Sequence, residues 1–573
     1  MRARIFAGTI LFLFLTLVLG LFYTQVLKHA SYRQLSERNR IRAIPLVAPR
    51  GKIYDRSGRL LVSSRIAFDI QVIYQEIKDK KKVIDTLSNI LEVDRVSLSR
   101  KMKEARKSPF IPIKIVADVD KGKAIRVEEA RLGLAGVIVT TRPLRNYLYG
   151  NTISHVTGYL GRISESEFTK YKSYGYRVRD FVGKDGVEKS YNDYLRGTDG
   201  GLQLEVDSKG RTQRTIAIKE PRSGKNIYLS IDLELQKFCD SLLGEKKGAI
   251  LAMKPDTGEM LAFVSHADFD PNAFVASYNT KSVSAILSDT KGLPLFDRAI
   301  SGTYPSGSVF KIVIAAAALD SGDFSEKETF FCGGSLTLGN RVFHCWNEDG
   351  HGSQAIAQAI KNSCNVFFYQ LGLLVGPDEI ARYAFRFGFG RPTGIDLPGE
   401  LSGFVPTTSW KKRKLKESWF RGETANYSIG QGYLLVTPIQ ILRLIGAVAN
   451  GGRLVTPFVV GRIEDIAVRH EKSRDTGLES GVLEAIRSAL KSAINAPHST
   501  GLYARSKEII ISGKTGTAEN PHGESHAWFT GFAPFEDPGI SVVVFIEHGG
   551  KGGLDPARFA KQVIEEAKKL ELL

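Results

Sequence analysis

The sequence predicts a mixed α+β fold, in which one sheet has helices packed against it, together with an N-terminal module on a single membrane-spanning helix. Apolar, strand-like runs near residues 248–264 and 528–546 enclose a long region of helical pattern. Helices between strands at both ends favour one sheet whose strands are far apart in the chain. The length of 573 residues predicts at least two domains.

The N-terminal run Ile5–Leu27 contains 23 residues and no charged side chain. As a helix it is about 34 Å long, which exceeds the bilayer hydrocarbon core of about 30 Å. A cleavable signal has a shorter apolar core and a small-x-small cleavage site, so we expect an uncleaved anchor at 5–27 after a cytoplasmic tail at 1–4. Basic residues flank the run on both sides, and only the shortness of the tail favours export of the rest.

The net formal charge of +18 restricts the classes of partner. An excess of Lys and Arg favours nucleic acid, an anionic membrane surface or an anionic cell-wall polymer. The sequence contains no nucleic-acid-binding motif, so the last two classes are favoured. The basic run 410–416 fits a membrane or polyanion contact, but a mobile solvated loop is the favoured interpretation.

Two pairs of apolar runs supply the predicted strands. Residues 248–253 and 260–264 flank the turn Pro255–Gly258, which is the pattern of a β-hairpin. Residues 528–532 and 540–546 follow the same pattern near the C-terminus. Both pairs are apolar throughout, which predicts strands buried on both faces.

A short turn before a long apolar helix carries the first candidate site. Pro305 and Gly307 predict a loop, and residues 312–319 contain no Gly or Pro, so Ser308 falls near the first helical turn. Residues i and i+3 share a helix face, which places the Lys311 amine beside the Ser308 hydroxyl. A lysine of lowered pKa can accept the proton of a serine nucleophile. Alone, this Ser-x-x-Lys pattern more often marks a capping serine and a surface lysine.

Two further motifs follow in order, Ser363–Asn365 before an apolar stretch and Lys514–Thr517 after the β-type run 509–513. The series Ser-x-x-Lys, Ser-x-Asn and Lys-Thr-Gly resembles the penicillin-binding protein family. The resemblance implies an antiparallel sheet with helices on both faces. It also implies a serine-type D-Ala-D-Ala transpeptidase that cross-links peptidoglycan stem peptides and is inhibited by β-lactams.

The resemblance implies a role for each motif residue. Ser308 would form the acyl-enzyme, and Lys311 is the expected base, although Lys514 is a disputed alternative in relatives. Ser363 and Lys514 would carry a proton to the leaving amine. Asn365 would position Lys311 or the substrate amide.

The Lys-Thr-Gly strand would bind the substrate. In the family, the backbone N–H groups of the nucleophile and of the residue after Lys-Thr-Gly hold the oxyanion, which carries over to Ser308 and Thr517. Thr515 and Thr517 would bind the substrate carboxylate, and Gly516 lets the substrate backbone lie close to the strand. No cofactor is expected for catalysis. The sequence has no match to the acidic residue by which class A β-lactamases deacylate, which favours transfer to an amine.

The chain before these motifs resembles class B, the monofunctional transpeptidases. Three segments between residues 48 and 197 match its pedestal module, which is structural in the family, and residues 220–225 are the predicted linker. We therefore expect a pedestal (dimerisation-type) domain at 28–225 and a transpeptidase domain at 226–573.

Within class B, Tyr369-Gln370 and His526–Phe529 look most like penicillin-binding protein 2, the elongation enzyme. Division-type penicillin-binding protein 3, a D,D-carboxypeptidase and a β-lactam sensor remain alternatives. The resemblance implies lipid-linked nascent glycan as substrate and, as partners, a multi-pass glycosyltransferase and rod-shape scaffolding proteins. It places the chain in the bacterial inner membrane as a single-pass protein with a periplasmic catalytic domain.

Three of the four cysteines lie in one region, Cys332, Cys345 and Cys364, with His351 between them. Thiolate and imidazole are ligands that zinc prefers, and four of them complete a structural site, although the gaps here are wider than in a zinc finger. Some penicillin-binding protein 2 members carry a metal site in this stretch, which implies the same for His351 and Cys364. Structural zinc, a disulfide and free thiols remain open. Cys239 is expected in a helix core.

Overall fold

The C-terminal part of the chain is built on a five-stranded antiparallel sheet. In this computed structural model the strands are β1 (Gly248–Met253), β2 (Met260–His266), β3 (Ser512–Ala518), β4 (His526–Ala533) and β5 (Ile540–Ile546). Their spatial order is β2-β1-β5-β4-β3, and every neighbouring pair is antiparallel. The predicted hairpin is the pair β1 and β2.

The helices that surround this sheet or carry the site are α1 (Leu233–Leu243), α2 (Lys311–Asp320), α3 (Ile356–Asn362), α4 (Asn365–Val375), α5 (Pro438–Ala449), α6 (Ser480–Asn495) and α7 (Asp555–Lys569). The remaining helices after residue 225 are Asn272–Val275, Thr280–Ser288, Pro377–Arg386, Thr408–Lys414 and Arg421–Ser428. The short strands there are Ile227–Leu229, Phe330–Cys332, Ser335–Leu338, Arg341–His344, Gly352–Gln354, Arg453–Leu454, Val460–Ile463, Ile466–Ala467 and Arg474–Asp475.

Helices cover both faces of the sheet, which confirms the predicted fold class. On one face, α1 and α7 share a buried core with Val542 and Val544 of β5 and include the buried Cys239. On the other face, α5 lies so close that a Cβ added at Gly446 would be 3.0 Å from the Cε of Met253. Successive residues of a strand point to opposite faces, and all residues of β1, β4 and β5 are buried because both faces are covered.

The structure describes residues 1–33, 41–107, 109, 111–178, 180–207, 212–275, 280–322, 324–471, 473–521 and 523–573. Parts of both predicted domains therefore lie outside the described residues, including 34–40 and 208–211 in the N-terminal one. The described chain forms two compact units. One comprises Met1–Gly51, Ser64–Leu144 and Arg196–Gly224, and the other comprises Lys52–Ser63, Arg145–Leu195 and Lys225–Leu573.

The first unit begins with helix Arg2–Phe22, which continues as a π-helical turn, Tyr23–Leu27. Among the described residues this is the one helix long and apolar enough to cross a membrane. The predicted anchor at 5–27 falls within it.

Each longer helix of the rest of this unit begins after an aspartate. Asp79, Asp94 and Asp120 accept hydrogen bonds from backbone N–H groups of the first turns of their helices. These helices are Lys80–Leu91, Arg95–Ala105 and Lys121–Ala130. The strands of the unit are Ile41–Leu46, Ile113–Val119, Gly200–Val206 and Thr212–Lys219, and strands Leu60–Val72 and Val137–Tyr147 have residues in both units.

The earlier segments of the second unit are short elements. Its strands before residue 225 are Ile53–Tyr54, Leu160–Arg162 and Phe181–Gly183. Its helices there are Ser154–Thr157, Glu165–Tyr171, Gly186–Ser190 and Asn192–Leu195, and a 3-10 turn spans Gly150–Ile153.

Candidate active site

Ser308 lies in one turn of 3-10 helix, Gly307–Phe310, that leads directly into α2. Two hydrogen bonds hold this turn in place. The indole N–H of Trp528 in β4 donates to the Pro305 carbonyl at 3.1 Å, and the Gly307 N–H donates to the Gly430 carbonyl at 3.0 Å. The turn is therefore anchored to the sheet, and Ser308 itself is half-buried.

Gly307 is required at this turn for two reasons. Its φ of +54° lies in the left-handed region, which side chains disfavour. A Cβ at this position would also lie only 2.4 Å from the carbonyl oxygen of Thr517 in β3. The absence of a side chain therefore brings the Ser308 turn into contact with the strand that carries the third motif.

The buried Lys311 reaches the second motif. Its Nζ donates to the Ser363 carbonyl at 2.8 Å and to Asn365 Oδ1 at 2.8 Å, and it lies 3.4 Å from Ser363 Oγ. Among the described residues, Ser308 Oγ makes no hydrogen bond, so no such bond joins the Lys311 amine to the hydroxyl one turn before it. The second motif, rather than the first, fixes the orientation of the Lys311 side chain.

Ser363 connects the two lysines of the site. Its Oγ accepts a hydrogen bond from Lys514 Nζ at 2.9 Å and lies near Lys311 Nζ. Ser363 occupies the joint between α3 and α4 with a φ of +52°, a left-handed conformation that is uncommon for a residue other than glycine. Strained backbone of this kind concentrates at functional sites.

Burial shifts the proton equilibria of both amines. Lys311 and Lys514 are each fully buried. Burial disfavours the charged form and lowers the pKa of Lys311 to about 8. Burial also lowers the pKa of Lys514 well below its usual range, and the neighbouring Lys311 charge lowers it further. The arrangement is suited to proton transfer because one amine of the pair readily gives up its proton.

The third motif forms the strand β3 on one wall of this site. Thr515 and Gly516 are buried, whereas Thr517 is exposed. A Cβ at Gly516 would lie 2.9 Å from Val309 Cγ2, so the strand packs directly on the Ser308 turn. The structure thus brings all eight predicted catalytic and substrate-binding residues into one region.

The predicted metal ligands also converge. The Sγ atoms of Cys332 and Cys345 lie 3.7 Å and 3.5 Å from His351 Nδ1, and the four ligand atoms, with Cys364 Sγ, lie within 4.8 Å of one another. None of the four cysteines forms a disulfide. Cys364 Sγ also accepts the Phe367 N–H at 3.4 Å and thereby caps the start of α4.

The sequence interpretation missed two backbone groups of the site. The Ser363 carbonyl is a main acceptor for Lys311, and the His344 carbonyl accepts from Asn365 Nδ2 at 3.5 Å and from the Tyr369 hydroxyl at 3.3 Å. Carbonyl groups leave no trace in residue identities. In the structure, a two-residue gap separates α3 from α4 at Ser363, which frees a carbonyl that a continuous helix would use.

Comparisons with known proteins indicate the family of this chain. The family profile described as penicillin binding protein transpeptidase domain matches residues 248–565, and that of the penicillin-binding protein dimerisation domain matches residues 45–229. Peptidoglycan D,D-transpeptidase MrdA of Acinetobacter baumannii is 34% identical over 592 residues, covering 98% of this chain and 87% of the relative.

Two solved structures show the same fold. A complex between penicillin-binding protein (PBP2) and MreC from Helicobacter pylori has a TM-score of 0.81 at 27% identity and covers 93% of this chain and 100% of that one. The second is described as "Structural coordination of polymerization and crosslinking by a peptidoglycan synthase complex". It has a TM-score of 0.74 at 29% identity, and the match covers 100% of this chain and 99% of that one.

Proposed function

Because this chain belongs to the penicillin-binding protein transpeptidase family, we propose that it is a peptidoglycan D,D-transpeptidase that cross-links stem peptides through an acyl-enzyme on Ser308. One observation carries the proposal most directly. A hydroxyl, Ser363 Oγ, lies within reach of two fully buried amines, those of Lys311 and Lys514. Lys311 follows the Ser308 turn directly, and the strand that carries Lys514 packs on that turn.

The acylation step uses these groups in order. Ser308 Oγ attacks the carbonyl of the penultimate D-Ala, and Lys311 Nζ accepts the hydroxyl proton. Ser363 Oγ, between Lys311 and Lys514, passes a proton to the departing D-Ala amine. An amine of a neighbouring stem peptide then attacks the ester, which restores the Ser308 hydroxyl and forms the cross-link. Asn365 Oδ1 holds Lys311 in place throughout.

The backbone supplies the oxyanion site. The contact between Gly307 and Thr517 places β3 beside the Ser308 turn, which supports the N–H groups of Ser308 and Thr517 as the oxyanion donors. Each donor of this kind contributes about 10²–10³ in rate. The exposed Thr517 and its neighbour Thr515 bind the terminal carboxylate, and the bare surface at Gly516 admits the substrate backbone.

The decisive experiment is covalent labelling of the full chain with a fluorescent penicillin. Ser308→Ala abolishes labelling because the nucleophile is lost. Ser306→Ala is a matched control directly before the same turn, because the buried Ser306 Oγ has no hydrogen-bond partner among the described residues, and it is expected to retain labelling. Equal labelling of Ser308→Ala and the unaltered chain contradicts the assignment. Rapid release of the label would indicate a hydrolase instead of a transpeptidase.

We also propose that Cys332, Cys345, His351 and Cys364 hold a structural zinc ion. Three thiolates and one imidazole are a donor set that zinc prefers, and their mutual distances fit the edges of a tetrahedral site. Zinc there would brace the segment that carries Ser363 and Asn365. Elemental analysis of chelator-free protein is expected to find about one zinc per chain, and Cys345→Ser is expected to lose it. Protein without zinc contradicts this proposal.

The N-terminal helix Arg2–Leu27 supports a single-pass anchor in the inner membrane, with residues 1–4 in the cytoplasm and the catalytic domain in the periplasm. We further propose a pedestal domain at 28–225 and a transpeptidase domain at 226–573, which the two family profiles support. A reporter fusion at the C-terminus that works only in the periplasm tests the orientation.

The relatives support an elongation-type enzyme with membrane partners. Solved relatives are named PBP2, and one is in complex with MreC, which supports a rod-shape scaffolding partner for this chain. The other solved relative belongs to a peptidoglycan synthase complex that coordinates polymerization and crosslinking. This supports a multi-pass glycosyltransferase partner for this chain, one that uses lipid-linked nascent glycan. Co-purification of the full chain with each partner from membranes tests these assignments.

A further inference from the structure

A second convergence of ligand atoms lies outside the active site, at the end of β2. Asp240 of α1, His266 of β2 and Asp268 each offer one ligand atom, and these atoms lie within 4.8 Å of one another. His266 Nε2 is 2.7 Å from Asp240 Oδ1 and 3.4 Å from Asp268 Oδ2. No role in the transpeptidase chemistry falls on this cluster.

The imidazole is oriented from outside the cluster. His266 Nδ1 lies 2.6 Å from the Gly244 carbonyl oxygen, which only accepts hydrogen bonds, so Nδ1 carries a proton. The other ring nitrogen, Nε2, is then directed at the two carboxylates. A histidine that binds a metal usually donates its remaining N–H to a carbonyl in this way.

Both carboxylates are supported in the same manner. The Thr152 hydroxyl donates to Asp240 Oδ2 at 2.9 Å, and Asn151 Nδ2 donates to Asp268 Oδ1 at 3.1 Å. Each aspartate thus has one oxygen held by a neighbour and the other directed at Nε2. Hydrogen bonds that hold the outer oxygen are characteristic of carboxylates that bind a metal.

We propose that Asp240, His266 and Asp268 bind a divalent transition-metal ion, Mn²⁺ or Zn²⁺. Two carboxylates and one neutral imidazole suit these ions better than Ca²⁺ or Mg²⁺, which prefer oxygen ligands alone. Their side chains are 23%, 10% and 20% exposed, so water completes the coordination shell. The ion connects α1 to the end of β2 and, through Asn151 and Thr152, to the turn Gly150–Ile153.

The test measures Mn²⁺ binding to the full chain in detergent by the loss of the electron paramagnetic resonance signal of free Mn²⁺. Mn²⁺ is chosen because the Cys and His cluster, with its thiolates, is a poor site for it. The unaltered chain is expected to bind one Mn²⁺, which Zn²⁺ displaces. Asp268→Asn removes a ligand and weakens Mn²⁺ binding by more than about tenfold. Thr152→Val removes only the hydrogen bond to Asp240 Oδ2 and weakens binding by about tenfold.

Three controls isolate the site. Glu245→Gln makes the same charge change as Asp268→Asn at an exposed position close to Gly244 and leaves binding unchanged. Cys345→Ser also leaves Mn²⁺ binding unchanged, and penicillin labelling verifies that the other variants are folded. If the unaltered chain binds no Mn²⁺ at millimolar concentration, His266 is a protonated partner of two aspartates and the proposal is wrong. Equal binding by Asp268→Asn, Thr152→Val and the unaltered chain also overturns it.

Discussion

Two regions of the molecule bury lysine side chains, with opposite consequences for their protons. In the candidate active site, Lys311 and Lys514 are fully buried, and no carboxylate among the described residues forms an ion pair with either. In helix Thr408–Lys414, the side chain of Lys411 is 1% exposed, but its Nζ is 2.5 Å from a carboxylate oxygen of Glu423. The difference between the regions is the presence of a partner of opposite charge.

This difference separates a reactive lysine from a structural one. Burial lowers the pKa of Lys311 because its partners are neutral oxygens. Burial acts on Lys411 in the same direction, but hydrogen bonds to Glu423 and Glu417 outweigh it and raise the pKa of Lys411. An amine without a carboxylate can release its proton near neutral pH, whereas a paired amine holds its proton and fixes the fold.

The largest expected effect comes from Lys311→Ala. Loss of a general base typically lowers a rate by about 10²–10⁴-fold, and we expect that loss in the rate constant for acylation by a fluorescent penicillin. Lys411→Ala is the matched control, because it also removes a buried lysine. A Lys311→Ala protein that acylates as fast as Lys411→Ala would show that burial without a carboxylate does not identify the base.

The pH dependence sharpens the same comparison. With a pKa of about 8, the neutral fraction of Lys311 rises about tenfold between pH 7 and pH 9, so the acylation rate is expected to rise by a similar factor. Free lysine has a pKa of 10.5, so the unfolded chain binds more protons between pH 8 and 10.5, and the Lys311 contribution to the free energy of unfolding increases across that range. Stopped-flow labelling with the fluorescent penicillin between pH 7 and pH 9 measures the acylation rate. A flat profile for the unaltered chain contradicts the role of Lys311.

The smallest expected effect on chemistry is that of Lys411→Ala. The acylation rate constant is expected to stay within about threefold, because the ion pairs of Lys411 are with Glu417 and Glu423 and not with the three sequence motifs of the site. The variant leaves Glu423 without its main cation, so Tm is expected to fall by about 1–2 °C, the shift that loss of about 1 kcal/mol produces in a unit of roughly 400 residues. Differential scanning fluorimetry measures the shift. An unchanged Tm would mean that the ion pair contributes little to the fold.

The sequence predicted the structure well where a local pattern of residues determines the backbone conformation. Gly307 before the apolar α2 predicted a turn with Ser308 near the start of a helix, and the alternation of apolar runs predicted the β1–β2 hairpin. The order of the strands and the placement of Lys311 on the Ser363 carbonyl depend on contacts between residues far apart in the chain. Such contacts leave no periodic pattern in the sequence.

The prediction of a loop at residues 410–416 was wrong, although residues 412–416 are exposed to solvent as expected. A run of basic residues was interpreted as a solvated loop, but the structure has helix Thr408–Lys414 with Lys411 buried. The acids that pair with it, Glu417 and Glu423, come later in the chain. Asp240 and His266 escaped notice for a related reason, because their proximity depends on α1 packing against β2.

The close contact at Gly307 has a consequence for inhibitor resistance. The two proposed oxyanion donors are peptide N–H groups, and every amino acid except proline supplies the same N–H at its position. Substitution of the Thr517 side chain therefore leaves its proposed hydrogen bond to a β-lactam adduct in place, whereas substitution of Ser308 removes the nucleophile and the activity with it. We therefore expect point mutations that confer resistance to act through side chains that contact the drug rather than through the oxyanion donors.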